Sequence, residues 1–304
     1  MSAHPEYIWM NGDFVKWEDA KVHVMTHALH YGTGVFEGLR AYPTKDDLAV
    51  FRLPEHTKRF FDSAKVYLLK CAYTPAQLEQ ATLELLRRNK LHSPTYIRPL
   101  LYVAKLGLDL DTFGSPTSAI IIASPFERLF AKPGISVCVS SWRRIHESAT
   151  PPIAKACGNY INSTLAKLEA SQKGFDDAIL LDQSGLVSEG TGENVFLVRG
   201  KKVITPDLAS SVLEGVTRDT MIQIADDEGF DVEEREVNRV ELYTSDEVFF
   251  VGSAAEVTPI LEVDGRKVGS GQPGLVAEKI RQLYGQTVRG EVERYRHWLT
   301  RVYR

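Results

Sequence analysis

A break in the hydrophobic pattern near the middle of the chain limits the folds that are open to it. The segment 124–134 has no sustained helical or strand period and is bounded by Pro125 and by Pro133-Gly134, residue types that interrupt regular structure. The chain has 304 residues, which is enough for two domains of ordinary size. We therefore predict a small α/β domain at 1–123, an interdomain linker at 124–134 and a larger domain at 135–304.

The order of strand-like and helix-like segments on the two sides of this break is irregular. A hairpin opens the chain with Asn11-Gly12 at its turn, because these residues tolerate positive φ. A strand pair follows at Val35–Tyr42 and Leu48–Arg52, then a helix at Glu55–Tyr67, and a helical tail from Leu275 ends the chain. Strands and helices do not alternate regularly, so the pattern favours two mixed domains (α/β class, mixed α+β) over a doubly wound parallel sheet.

Charge and cysteine usage exclude several classes of protein. The formal net charge is -4 and the isoelectric point is about 6.1, which gives no electrostatic reason to expect nucleic acid or an anionic membrane as a partner. The three cysteines are far apart and form no C-x-x-C pair, which argues against a disulfide framework and a thiolate zinc site. The first residues lack a basic stretch followed by an apolar run. We expect a cytoplasmic protein.

Two features resemble ligand-binding motifs but are weak. Gly32-Thr33-Gly34 looks like part of a dinucleotide loop, yet the third glycine is missing. The spacing of His23, His27 and His30 would place two imidazoles on one helical face, but no acidic or cysteine partner lies at suitable spacing. Packed or solvated histidines are the favoured interpretation, and we expect no metal site.

Lys155 is the unusual lysine of the chain. Its neighbours Pro151-Pro152-Ile153-Ala154 and Ala156-Cys157-Gly158 are small or apolar and include no carboxylate. Burial there would disfavour the ammonium form and make the amine available as a nucleophile. The alternative is a lysine whose long stem reaches solvent from the end of a strand, and local composition alone favours that alternative.

Two further segments favour a functional role for Lys155 over a structural one. Ser188–Asn194 places two carboxylates, Glu189 and Glu193, among small residues, either beside a cationic ring nitrogen or in a solvated turn. Ser210–Thr217 leads directly into a helix, whose N-terminus is either an anion site or an ordinary capped end. A lysine, a carboxylate and an anion-binding helix start together match the three needs of pyridoxal phosphate: a Schiff-base amine, a partner for the pyridinium nitrogen and a phosphate site.

The chain resembles the class IV (fold-type IV) pyridoxal-phosphate enzymes and, among them, the branched-chain amino acid aminotransferases. The resemblance covers nearly the whole chain, from about Trp9 to Gln286. The motifs that carry it are THALHYGTGVFEGLRAY (Thr26–Tyr42), HTKRFFDSAK (His56–Lys65), YIRPL (Tyr96–Leu100), AKACGNYINSTLAKLEA (Ala154–Ala170), SEGTGENVF (Ser188–Phe196), LEGVTRD (Leu213–Asp219) and GSAAEVTP (Gly252–Pro259).

The resemblance implies a role for each residue that would bind pyridoxal 5'-phosphate. Lys155 would be the catalytic Schiff-base lysine that also moves the substrate proton, Glu189 the partner of the ring nitrogen, and Tyr160 the partner of the ring hydroxyl. The larger domain would therefore bind the cofactor. The remaining implied ligands pack on the ring or hold the phosphate: Leu213, Arg59, the backbone at Val216 and Thr217, and the Ser253 hydroxyl.

The resemblance also implies a substrate pocket shared by leucine, isoleucine, valine and glutamate. Tyr96 and the backbone at Ser253 and Ala254 would receive the α-carboxylate, and Arg98 the second carboxylate of glutamate or 2-oxoglutarate. The apolar wall would come from Tyr31, Phe36 and Gly38, from Leu108 and Leu110 reaching across a dimer interface, and from Phe126 and Leu129 of the linker, which would cover the pocket. The implied assembly is a homodimer at minimum, with a hexamer as a further alternative.

Some positions depart from the family pattern and keep alternatives open. Phe126 and Leu129 stand where a well-known bacterial member has tryptophan and tyrosine, and Leu108-Asp109-Leu110 replaces methionine, glycine and valine. A D-amino acid or (R)-amine transaminase, or aminodeoxychorismate lyase, of the same fold type therefore remains an alternative, as does a non-enzymatic binding protein. Tyr31, the VFEGLR stretch and Tyr96-Ile97-Arg98 favour the branched-chain transaminase, because they supply both an apolar pocket and a carboxylate receptor.

Overall fold

The computed structural model describes residues 4–304, which form two compact units. Unit 1 contains the described residues through Glu127, together with Ala154–Gly158 and Gln286–Arg304. Unit 2 contains Arg128–Ile153 and Asn159–Gly285. Unit 1 thus includes a short internal segment and the C-terminal residues, both of which lie inside the predicted larger domain. The division at 124–134 stays a prediction.

Seven α-helices are present in the described part of the chain. Helix α3 begins with a reciprocal cap, in which Thr74 accepts from the Gln77 backbone N–H and the Gln77 side chain accepts from the Thr74 N–H. Proline stands near the start of both α2 and α3, where its missing N–H has no intrahelical partner to lose. The helices are α1 (His27–Tyr31), α2 (Leu53–Val66), α3 (Pro75–Arg88), α4 (Tyr160–Gln172), α5 (Val216–Asp227), α6 (Glu241–Thr244) and α7 (Leu275–Val288).

Seventeen short strands make up the two sheets of residues 4–304. The first seven are β1 (Tyr7–Met10), β2 (Asp13–Lys16), β3 (Gly34–Phe36), β4 (Leu39–Pro43), β5 (Leu48–Phe51), β6 (Thr95–Val103) and β7 (Thr117–Pro125). The others are β8 (Ile135–Arg143), β9 (Asp177–Leu181), β10 (Val187–Gly190), β11 (Asn194–Arg199), β12 (Lys202–Thr205), β13 (Asp231–Glu234), β14 (Glu247–Gly252), β15 (Glu256–Val263), β16 (Arg266–Lys267) and β17 (Leu299–Arg301).

Unit 1 is built on an antiparallel sheet in the order β17-β5-β4-β6-β7-β1-β2, with β3 also paired to β6. The predicted hairpin is confirmed: β1 and β2 pair around Asn11 and Gly12, whose φ values are 52° and 98°. Helices α2 and α3 pack their apolar faces on this sheet through Phe60, Leu85 and Leu86, which are at most 2% exposed.

Unit 2 is built on a mixed sheet in the order β10-β9-β8-β15-β14-β11-β12-β13, with β16 added beside β15. Strand β8 runs parallel to both β9 and β15, and β12 runs parallel to β13, while the other pairs are antiparallel. The fully buried rings of Phe196 and Phe249 stack 5.4 Å apart in its core. The expectation of mixed α/β architecture, without a doubly wound sheet, is confirmed.

Two local predictions need correction, and the bounds of one strand overlap the predicted linker. The run Val35–Tyr42 is divided into β3 and β4, because the backbone leaves the strand conformation at Glu37 and Gly38. The helical tail ends at Val288, and the chain then adds β17 to the sheet edge beside β5. The predicted linker begins with residues of β7, which extends to Pro125. No helix among residues 4–304 is long and apolar enough to cross a membrane.

Candidate active site

The backbone around Lys155 is fixed by the sheet of unit 1. Ala156 forms an isolated antiparallel bridge with Val35, and the Lys155 carbonyl accepts from the Phe36 N–H at 3.0 Å. The Lys155 N–H donates to the Ser63 hydroxyl on α2 at 3.0 Å. Neighbouring Ala154 and Ala156 are buried. The small residues around Lys155 therefore let the segment lie close against β3, which a larger side chain would prevent.

The Lys155 side chain is half-buried rather than fully buried. Its Nζ lies 5.0 Å from the centre of the Phe36 ring. The electron-rich face of an aromatic ring attracts a cation at this distance. The amine thus lies beside the aromatic face of Phe36.

A buried carboxylate, Glu37, lies where β3 ends. Its Oε1 accepts from Arg59 Nε at 2.6 Å, and its Oε2 accepts from Arg59 Nη2 and His56 Nδ1, both at 2.8 Å. Burial alone would raise the pKa of Glu37, but Arg59 and His56 hold it well below its usual range. Burial lowers the pKa of His56. Glu37 therefore orients the guanidinium of Arg59, the side chain predicted to hold phosphate, and the sequence interpretation missed it.

A second guanidinium, Arg98, is stacked over the other predicted pocket residues of unit 1. Its Cζ lies 4.5 Å from the centre of the Phe36 ring, and its Nη2 donates to the Tyr96 hydroxyl at 2.9 Å. Its Nε is buried and has no hydrogen-bond partner among the described residues. A Cβ at Gly38 would come within 2.1 Å of the Tyr96 hydroxyl oxygen, so glycine is required there. Phe36, Gly38, Tyr96 and Arg98 form one group.

Other predicted pocket residues of unit 1 lie close to these side chains or at its surface. The Phe126 ring lies 5.6 Å from that of Tyr96, and the Phe126 carbonyl accepts from Arg40 Nη2. Tyr31 donates from its hydroxyl to the Leu108 carbonyl at 2.7 Å. The side chains of Leu108 and Leu110 are 54% and 77% exposed. Their predicted place in a neighbouring subunit's pocket stays a prediction.

In unit 2, Glu189 on β10 is a buried carboxylate with three identified partners. Its Oε1 lies 2.7 Å from Arg144 Nη2, and both side chains are nearly inaccessible, at 7% and 6% exposed. Its Oε2 accepts from the Asn194 amide and from the Leu213 N–H, both at 3.0 Å. A buried arginine and two neutral donors stabilise the ionised form. The structure therefore fixes an anionic carboxylate of the kind that a protonated ring nitrogen requires.

The second carboxylate of this segment, Glu193, is also buried, so the solvated-turn alternative is wrong. Its Oε2 accepts from the Gly192 N–H at 2.9 Å. Burial and the neighbouring charge of Asp177 raise the pKa of Glu193 to about 8. Asp177 itself is bound by Lys167 at 3.0 Å and by the Thr191 hydroxyl at 2.8 Å. Glu189 and Glu193 therefore have different electrostatic surroundings, since Glu189 faces a buried guanidinium and Glu193 faces a carboxylate.

The start of α5 is joined to Glu189 through Asn194. The Asn194 amide donates to both Glu189 and the Leu213 carbonyl, at 3.0 Å in each case. Gly215 is the N-cap residue, and a Cβ there would lie 2.0 Å from Asn194 Oδ1. Thr217, in the first turn, is buried. The glycine cap supplies no side-chain hydrogen bond to the helix, which suits a terminus that receives an anion.

The remaining predicted residues of unit 2 lie at the ends of elements. Tyr160 is the first residue of α4. Ser253 and Ala254 form the turn between β14 and β15, and the Leu129 N–H donates to the Ala254 carbonyl at 3.2 Å. Hydrogen bonds join Glu189 to Leu213 and Leu129 to Ala254, whereas Tyr160 and Ser253 are placed only by their elements, and the roles of all these residues stay predictions. Arg144 and Asn194 were missed, although Asn194 stands within the SEGTGENVF motif.

The sequence and fold match known proteins over nearly their whole length. The family model for amino-transferase class IV matches residues 34–263. The branched-chain-amino-acid aminotransferase of Escherichia coli (strain K12) is 44% identical over 302 residues, covering 98% of this chain and 97% of that protein.

Two solved structures share both the fold and much of the sequence. The branched-chain aminotransferase from Thermoproteus uzoniensis, crystallised with norvaline, has a TM-score of 0.95 and 45% identity, covering 98% of this chain and 100% of that one. The branched-chain amino acid aminotransferase from Thermobaculum terrenum, in its PLP-bound holo-form, has a TM-score of 0.93 and 39% identity, covering 99% of each chain. The chain belongs to the class IV aminotransferase family.

Proposed function

We propose that this chain transfers the amino group of leucine, isoleucine and valine to 2-oxoglutarate, with pyridoxal 5'-phosphate as cofactor. The products are the branched 2-oxo acids and L-glutamate. The observation that carries the proposal is the shared Phe36 ring, which lies 5.0 Å from Lys155 Nζ and 4.5 Å from Arg98 Cζ. One apolar surface therefore adjoins both a candidate reactive amine and a candidate carboxylate receptor. The relatives named above, at 39% to 45% identity, support the same activity.

The donor groups of the chain suit this cofactor. Lys155 offers an amine for covalent attachment, Glu189 offers a buried anionic carboxylate for the ring nitrogen, and Tyr160 a phenol for the ring hydroxyl. When bound, pyridoxal phosphate supplies an electron sink that delocalises the negative charge left on the reacting carbon. Leu213 would pack on the ring. The phosphate would be held by Arg59, by the α5 N-terminus at Val216 and Thr217, and by Ser253.

Proton transfer is assigned to Lys155. Its Nζ would carry the proton from the substrate carbon to the cofactor in the first half-reaction, and a proton in the reverse direction in the second. Arg144 Nη2 lies 2.7 Å from Glu189 and favours its ionised form. Glu189 would therefore remain available as the negative partner of the ring nitrogen in both half-reactions. One substrate must leave before the next binds, because leucine and glutamate use the same pocket. The kinetics are therefore ping-pong.

Substrate selection is assigned to the group around Arg98. Phe36 offers an apolar surface to a branched side chain, whereas the half-buried Arg98 guanidinium and the Tyr96 hydroxyl, which accepts from Arg98 Nη2, offer donors to a carboxylate. Tyr96 and the backbone at Ser253 and Ala254 would receive the α-carboxylate. We further propose a homodimer at minimum, in which Leu108 and Leu110 complete the apolar wall of the second copy's pocket.

A donor panel tests the activity. The purified protein, saturated with pyridoxal phosphate, is assayed with L-leucine, L-isoleucine, L-valine, D-alanine and an (R)-amine against 2-oxoglutarate. We expect the three branched L-amino acids to give the largest kcat/KM. A higher value for D-alanine or the amine would refute the proposal. Borohydride reduction and peptide mapping should place the pyridoxyl label on Lys155, and a label on another lysine would refute that assignment.

A further inference from the structure

Side chains form hydrogen bonds with the backbone of the loop between β6 and β7. In the 105–111 loop (Lys105–Asp111), the Leu108 carbonyl accepts from the Tyr31 hydroxyl at 2.7 Å. The Asp109 carbonyl is contacted by His27 Nε2 at 3.0 Å. The Asp111 carbonyl accepts from Lys105 Nζ at 2.8 Å, and the same ammonium binds the Asp109 carboxylate at 2.6 Å. Side chains therefore bind the backbone of this loop at Leu108, Asp109 and Asp111.

The apolar side chains of the same loop are left facing solvent. Leu106, Leu108 and Leu110 are 61%, 54% and 77% exposed. A loop whose backbone is fixed and whose apolar side chains point outward differs from an ordinary surface loop, where apolar side chains fold inward and the backbone is solvated. The arrangement presents leucine side chains in set positions, which lowers the entropy lost when they are packed against another surface.

His27 is the buried residue among the side chains that bind the loop backbone. It is 1% exposed, at the start of α1, and its backbone N–H also donates to the Lys105 carbonyl at 2.9 Å. Because a carbonyl can only accept, Nε2 must carry the proton that is donated to Asp109. In the neutral ring, Nδ1 then accepts from the Thr33 hydroxyl at 2.8 Å. The imidazole ring lies 4.7 Å from the Tyr31 ring, so the two side chains support each other.

We propose that His27 is a positioning residue that holds the 105–111 loop so that Leu108 and Leu110 complete the apolar side of the substrate pocket in a second copy of the chain. The effect on substrates depends on the proposed transaminase function; the effect on the loop does not. His27 touches neither substrate nor cofactor in this role. It acts through the loop, and its loss should affect branched donors more than glutamate, whose distal carboxylate is assigned to Arg98.

The test variant is His27→Phe, which keeps a ring against Tyr31 but removes both hydrogen bonds. His30→Phe is the matched control, because His30 lies on the same helix and contacts the Val24 carbonyl, outside the loop, at 2.9 Å. Amide hydrogen exchange is measured on the 105–111 loop, and KM and kcat are measured separately for leucine and glutamate. Gel filtration and cofactor absorbance establish that both variants remain folded and loaded.

We expect His27→Phe to exchange faster in the loop and to raise the KM for leucine by roughly three- to tenfold, the effect of about one lost hydrogen bond. The KM for glutamate should change by less than about twofold, and His30→Phe should match the wild type. Unchanged loop exchange, or equal rises for both substrates, would overturn the proposal. If His27→Phe exchanges faster in the loop but the wild-type protein shows no transaminase activity, the proposed function alone is contradicted. If His27→Phe does not fold, His27→Leu, which also removes both ring hydrogen bonds, is measured in the exchange assay, and unchanged loop protection overturns the proposal.

Discussion

Arg98→Leu separates the two substrates that one pocket must accept. In the wild type, the guanidinium lies 4.5 Å from the centre of Phe36 and donates to the Tyr96 hydroxyl at 2.9 Å, while its buried Nε has no partner among residues 4–304. A distal carboxylate would pair with the part of the guanidinium that stays accessible, since Arg98 as a whole is half-buried. Removing one member of a buried charge pair costs about 2–5 kcal/mol, so the glutamate half-reaction should slow by roughly thirtyfold or more, since ~1.4 kcal/mol is a factor of ten.

Leucine makes no such pair and should be affected much less. The variant loses the stacking on Phe36 and the support of Tyr96 for every substrate, a shared cost of about 1 kcal/mol. Arg98→Gln is the matched control, because its amide can still donate to Tyr96 without carrying charge. Single-turnover absorbance changes of the bound cofactor are measured with each amino acid alone. Equal losses for leucine and glutamate would show that Arg98 only supports the sheet, and a wild-type glutamate rate in Arg98→Gln would show that its charge is not used.

Three further substitutions test the rest of the site. Glu189→Gln should retain the cofactor absorbance but slow proton abstraction by ~10²–10³, and near wild-type single-turnover rates would contradict its role. Gly38→Ala, whose Cβ would lie 2.1 Å from the Tyr96 hydroxyl oxygen, should raise KM for all amino acids, and unchanged KM values would show that Tyr96 does not bind the α-carboxylate. Since burial raises the pKa of Glu193 in the native state to about 8, the native protein keeps a proton that the unfolded chain releases near pH 4.5. The stabilisation from this proton is complete below the unfolded value and is lost as pH rises towards 8, with a slope of at most about 1.4 kcal/mol per pH unit. Denaturant unfolding from pH 5 to 8 should therefore show a steeper loss for the wild type than for Glu193→Gln, and parallel curves would refute the protonated state.

The elements that the sequence predicted correctly are those set by local interactions. The β1–β2 hairpin follows from the positive φ of Asn11 and Gly12, and α2 (Leu53–Val66) from the helical spacing read at Glu55–Tyr67. Strand β17 was missed because its stability comes from pairing with β5, far away in the chain. The bridge between Ala156 and Val35 was missed for the same reason. Such pairings are tertiary and have no local pattern.

The candidate functional residues also divide into those that local sequence reveals and those that only the fold reveals. The motifs pointed to Lys155 and Glu189 because each is a reactive group among small residues. They did not point to Glu37, which stands inside the apolar VFEGLR run and looks locally like one polar residue in a strand. Its meaning becomes visible only when α2 brings His56 and Arg59 within 2.8 Å of its carboxylate.

Two of the predicted charges that would face the cofactor are each matched by an opposite charge of the protein. Arg59 is bound by Glu37 at 2.6 Å in unit 1, and Glu189 by Arg144 at 2.7 Å in unit 2. A buried ion left alone would be strongly destabilising, whereas a buried pair is tolerated. The pairing therefore offsets the cost of burying each charge when no cofactor is bound, and it fixes the directions of the charges that the cofactor would meet. The partner of such a pair can come from any distant part of the chain, so a motif reveals the residue that does the chemistry and leaves its counter-ion to the fold.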